Sequence, residues 1–183
     1  MPDIPKTLPA PRAAVAWVAA TLLQEPRCAA ARIRQPQPDA DSDAAAGRTD
    51  QLSQVHAETT KGRHFTVTVI TDDPDHDATD AWSFPGSFGD ALANPDPRRW
   101  VALTVGRSRP TGMFLAPEHA LRRIVMARHL EAARHGVWTP IAHDTTSLHL
   151  ALDLAPIRGL LVNLSDVFGA VESDTYRHGD VPH

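Results

Sequence analysis

Arg63-His64-Phe65-Thr66-Val67-Thr68-Val69-Ile70-Thr71-Asp72-Asp73, in one-letter form RHFTVTVITDD, alternates apolar and polar side chains from Phe65 to Val69 and ends on two acids. A period of two places Phe65, Val67 and Val69 on one face and Thr66 and Thr68 on the other, the pattern of a β-strand that lays one face on a core. The strand is read as Phe65 to Thr71. A second strand, Asp50 to His56, precedes it across a turn around Thr60-Lys61-Gly62.

Upstream, Val15, Val18, Ala19 and Leu22 recur at helical spacing within Arg12 to Gln24, and Trp17 and Leu23 widen the apolar stripe. Pro11 fits the first helical turn, where its missing N–H costs nothing, and Glu25-Pro26 closes the helix because a residue before proline is pushed out of the helical region. Arg27 to Arg34 reads as a short Ala-rich strand, and Gln35 to Arg48 as a polar loop without periodicity. Downstream, Trp100 to Val105 (WVALTV) is a nearly continuous apolar run, suited to a central strand covered on both faces. Gly112 to Ala116 forms another short strand, and Pro117-Glu118 opens a helix that Gly136 stops. On that helix Leu121, Ile124, Val125 and Leu130 make the buried stripe, with Arg122, Arg123, Arg128 and Arg134 falling mostly elsewhere. Leu148 to Leu152 reads as a short strand, and Pro156 primes a final helix through Phe168. This order describes an α/β (α+β) fold, a mixed central sheet flanked by helices, in one domain over residues 11–168 with an extended arm at 1–10 and a polar tail at 169–183.

A chain of 183 residues is long enough for one sizeable core. Cys28 is the single cysteine, so an intramolecular disulfide is ruled out; it is read as a small buried apolar residue in a reducing compartment. With no apolar run of about 18 residues and no secretory leader before the first helix, the expected location is the cytoplasm, away from membranes. The net charge of −4 argues against a uniformly cationic surface, yet the charge is divided along the chain. Thr71 to Pro97 carries seven Asp and no Lys or Arg, whereas Arg98 to His135 carries eight Arg against Glu118 and Glu131. The basic half is the better candidate for function.

A buried N-terminal helix, a strand, a polar loop with an Asp before a second strand, and a third strand of form F-x-V-x-V resemble the core of the PD-(D/E)xK restriction-endonuclease-like family. Val69-Ile70-Thr71, Trp82, Trp100 to Val105 and Phe114-Leu115-Ala116-Pro117 stand where small bacterial members carry V-K-T, a tryptophan-bearing loop, a strand, and a short strand leading to a proline. The resemblance covers roughly Ala13 to His135. It implies a Mg²⁺ site built from acids on the second and third strands, with a lysine two residues on to orient the attacking water. Here the first acid corresponds to Asp50, the third-strand acid to Thr68 and the lysine to Ile70, and no acid stands on the first helix. A hydroxyl is a poor ligand for a hard dication and an aliphatic chain supplies no charge, so the resemblance implies a degenerate, non-cleaving member. A divergent Mg²⁺-dependent deoxyribonuclease that uses Asp50 with Glu58 and a relocated Lys61 is the alternative.

Other constellations point less far. His143-Asp144 and His149 cluster in sequence, and His119, His129 and His135 lie on or beside the arginine helix, but capping and surface roles account for them. CxxC, HExxH, G-x-S-x-G and the P-loop pattern are all missing. Trp82, Phe84 and Phe88 are read as packing residues in the acidic loop. Arg107 and Arg109 in one loop, with Arg122, Arg123 and Arg128 on one helix, are the candidate phosphate contacts to DNA or RNA. No cofactor is expected apart from Mg²⁺ in the nuclease alternative. A third alternative is an assembly protein, a homodimer among its forms, in which the arginine helix meets an acidic partner.

Overall fold

A computed structural model describes residues 10–34, 53–71, 81–85, 88, 95–106, 110–134 and 149–173. The elements are α1 (Ala10–Gln24), β1 (Cys28–Arg34), β2 (Gln54–Thr59), β3 (His64–Thr71), β4 (Ala81–Pro85), β5 (Arg99–Val105), β6 (Gly112–Pro117), α2 (Glu118–Arg134), β7 (His149–Asp153), a 3₁₀ turn (Ala155–Leu160) and α3 (Leu164–Glu172). A five-stranded sheet runs β1-β2-β3-β5-β6, and β4 and β7 form a separate antiparallel pair. Only β3 and β5 are parallel within the large sheet; its other pairs are antiparallel. The fold is therefore the mixed-sheet α+β class.

The deciding strand behaves as its pattern dictates. Phe65, Val67 and Val69 enter a core with Val15, Val18 and Leu22 of α1 and Val167, Phe168 and Val171 of α3. Phe65 meets Phe168 edge to face at 5.2 Å between ring centroids. On the opposite face Ile70 joins Val101, Leu103, Leu121, Val125 and Ile157 in a second cluster. Five consecutive residues of β5, Trp100 to Thr104, are buried, because α1 covers one side of the sheet and α2 the other. At the β2–β3 turn Gly62 adopts φ +73°, a left-handed conformation that disfavours side-chained residues. Buried Thr59 ties that turn together, its Oγ1 accepting from the backbone N–H groups of Lys61 and Arg63.

Several expectations need correction. The second strand is Gln54–Thr59 rather than Asp50 to His56, and Asp50 lies outside the described residues. Trp82 and Phe84 sit on a strand, β4, which pairs with β7 some sixty-five residues later. They pack as expected, fully buried in the second cluster with Phe88, and the Trp82 indole N–H donates to the Thr104 carbonyl at 2.9 Å. The final helix divides into the 3₁₀ turn and α3. The latter starts at an Asn163 cap whose Oδ1 accepts from the Asp166 N–H at 2.8 Å, and it runs to Glu172. Leu130 is exposed rather than part of the buried stripe, and Cys28 is only half-buried. No helix among the described residues is long and apolar enough to cross a membrane.

Candidate nucleic-acid interface

The second sheet face is covered unevenly. α2 and the β4–β7 pair press on Ile70, Val101 and Leu103, and no described element covers the β1–β2 side of that face. Cross-strand register determines what stands there. Arg32, His56, Thr66 and Arg99 form one row across β1, β2, β3 and β5, and Arg34, Gln54 and Thr68 begin the next. Alternation turns Val55 and Ala57 into the core and Gln54, His56 and Glu58 outward.

Arg32, Arg34, Gln54, His56, Glu58, Thr66 and Arg99, with His64 of β3 and Asp96 and Arg98 from the approach to β5, line a concave depression of about 620 Å³. Four guanidinium groups face two carboxylates there, and His56 and His64 lie between the two pairs of arginines. Asp96 is occupied locally, since its Oδ1 accepts from the Arg98 backbone N–H at 2.9 Å. Among the described residues no ion pair engages Arg32, Arg34 or Arg98. His56 keeps Nε2 shielded from solvent without a hydrogen-bond partner.

Beside this depression lies a buried charge cluster. Glu118, 2% exposed, opens α2, and its Oε1 accepts from Arg122 Nε at 2.9 Å and pairs with Arg99 Nη2 at 3.3 Å. Its Oε2 accepts from Thr68 Oγ1 at 3.4 Å. A carboxylate in the first turn also suits the helix dipole. Arg122 is drawn inward, 12% exposed, with Nη1 donating to the Phe88 carbonyl and its guanidinium 4.3 Å over the Phe88 ring. Arg99 is the partly exposed member, reaching from Glu118 into the depression.

This arrangement separates the residues singled out in the sequence. Thr68, which the resemblance set against the family's third-strand acid, bonds to Glu118, and Ile70, which it set against the lysine, is buried among apolar side chains. Glu58 lines the depression, whereas Lys61 lies at the turn with Nζ 2.8 Å from Glu172 Oε2 of α3. α3 packs on the other sheet face, so Glu58 and Lys61 are directed apart. Arg122 is committed to Glu118, Arg128 pairs with Glu131 at 3.0 Å and Arg123 is exposed; none of the three lines the depression. Arg107, Arg109 and the His143-Asp144 pair lie outside the described residues.

Around Glu118 the described donors do not assemble a Mg²⁺ site, and Asp50 lies outside the described residues. Among the described residues Glu118 is the one buried charged side chain, and two guanidinium groups already neutralise it. No three His, Cys, Asp or Glu side chains converge among those residues either.

Sequence reading missed the arginines of the depression, although the signal was present. Arg32 and Arg34 are two apart on a strand, Gln54, His56 and Glu58 share a parity, and Arg98-Arg99 abuts the apolar run of β5. In the sequence Glu118 signals no more than the opening of a helix. A glutamate that follows an apolar strand directly and precedes an arginine by four residues was the available hint. Comparison of the chain with protein-family models, with curated proteins and with solved structures gives no match in any of the three.

Proposed function

We propose that this protein binds nucleic acid through the arginine-lined depression and does not cleave it. The observation that carries this reading is the convergence of Arg32, Arg34, Arg98 and Arg99 from two chain segments onto one sheet face that no described element covers, with three of them unpaired by any described acid. Guanidinium groups in such a cluster gain affinity for a phosphate backbone through release of its counterions. The engagement of Thr68 by Glu118 and the burial of Ile70 support a binding role without hydrolysis.

The test is a binding titration beside a cleavage assay. Wild-type protein should bind a labelled oligonucleotide and leave it intact during long incubation with Mg²⁺ or Mn²⁺. Replacing Arg32 and Arg34 together by alanine should weaken binding without unfolding the chain, since both side chains are exposed. Metal-dependent cleavage abolished by Asp50→Ala would instead establish the nuclease alternative. Failure to bind at low salt would leave the assembly reading.

A further inference from the structure

Resting on the nucleic-acid reading, we infer that the depression takes a single strand rather than a duplex. Its two cationic sides are remote in sequence. Arg32 and Arg34 belong to β1, and Arg98 and Arg99 to the start of β5, with β2 and β3 lying between them. Three inter-strand steps place the backbones of Arg32 and Arg99 about 14 Å apart across the sheet, and two residues along β1 separate Arg32 from Arg34 by about 7 Å. The geometry is a short trough with guanidinium groups on both sides.

The floor between them is polar. Gln54, His56, Glu58, His64 and Thr66 point into the trough, so it carries hydrogen-bond donors and acceptors as well as two planar rings. A single strand lying along it gives its phosphates to the arginines and its unpaired base edges to the floor. A duplex keeps its Watson–Crick edges paired and recesses its remaining base edges in grooves between two backbones, so a sheet-face trough about 14 Å across meets mainly its phosphates and leaves most floor groups without partners. Open sheet faces are a common platform for single strands for this reason. Among the described residues no Trp or Tyr lines the trough, and Phe65, which borders it, is 2% exposed. Stacking from the described residues is therefore confined to His56 and His64, and hydrogen bonds from the floor to base edges carry most of the discrimination among bases.

The experiment compares one labelled oligonucleotide, as a DNA strand, as the matching RNA and annealed into a duplex, by fluorescence anisotropy at one ionic strength. The expected result is binding of the single strand about tenfold or more tighter than the duplex. Arg32→Ala/Arg34→Ala on one side, and Arg98→Ala on the other, should each weaken the single strand severalfold. Gln54→Ala/His64→Ala should reduce the preference for single strands while sparing duplex affinity, a pattern that loss of charge alone does not give. Arg12→Ala, on the exposed surface of α1 and away from the trough, should leave both affinities unchanged. Duplex binding equal to or tighter than single-strand binding, with salt dependence retained, overturns this inference and leaves the parent reading standing. Absence of salt-dependent binding to every form overturns both.

Discussion

Glu118 makes the strongest single claim at the residue scale, because one carboxylate joins α2, β3 and β5 through Arg122, Thr68 and Arg99. Removing one partner of a buried ion pair leaves uncompensated charge, so Glu118→Ala should destabilise the fold by about 3–5 kcal/mol, read from urea unfolding midpoints. Ile70→Lys supplies the lysine that the resemblance to the endonuclease-like family implies here. It places a lone ammonium among Trp82, Leu103 and Leu121, so it should cost a similar amount, about 3–5 kcal/mol, and confer no metal-dependent cleavage. His119, next along α2, has its pKa held below the ordinary value of 6.5, by burial first and by the nearby Arg123 charge second. The folded state then binds fewer protons than the unfolded state. The stability this group contributes is present above pH 6.5 and is lost as pH falls from there through the depressed folded value. Unfolding midpoints at pH 7.5 and 5 should differ more for wild type than for His119→Asn, and equal differences would contradict this role.

At the scale of elements, what the sequence disclosed follows the range of the forces that shape each segment. α1, β3, β5 and the body of α2 are legible because apolar periodicity is local, and Trp100 to Thr104 needs no partner to announce a strand covered on both sides. β4 is not legible. Its five residues carry no decisive pattern, and its partner β7 lies far along the chain, so only tertiary contact makes AWSFP a strand. The energetic weight of that contact is large. Trp82→Ala, which opens a cavity in the second cluster and removes the bond to Thr104, should cost about 3–5 kcal/mol by the same urea measurement. The final helix was placed too early for a related reason. Pro156 fits a helical first turn, but here it begins a 3₁₀ turn, and Asn163 supplies the cap that starts α3. The arginine helix shows how residue type alone misleads: spacing gave Arg122 to the outer face, and a buried carboxylate one turn earlier draws it inward.

At the scale of the whole molecule, a net charge of −4 conceals a cationic depression, because the arginines of β1 and those at the approach to β5 meet only when the sheet forms. The sheet class was legible from the order of elements. The depression was not, since its two sides are joined by pairing of β1 with β2, β2 with β3 and β3 with β5, which no local pattern encodes. The most direct measurement of phosphate contact there is the dependence of single-strand affinity on salt. Each neutralised phosphate contributes about −0.7 to the slope of log K against log salt, so four arginines predict roughly −3 for the wild type. Replacing Arg32, Arg34 and Arg98 by alanine should bring the slope to about −0.7. A triple variant with the wild-type slope, or a wild-type protein that binds no strand at low salt, would contradict the account.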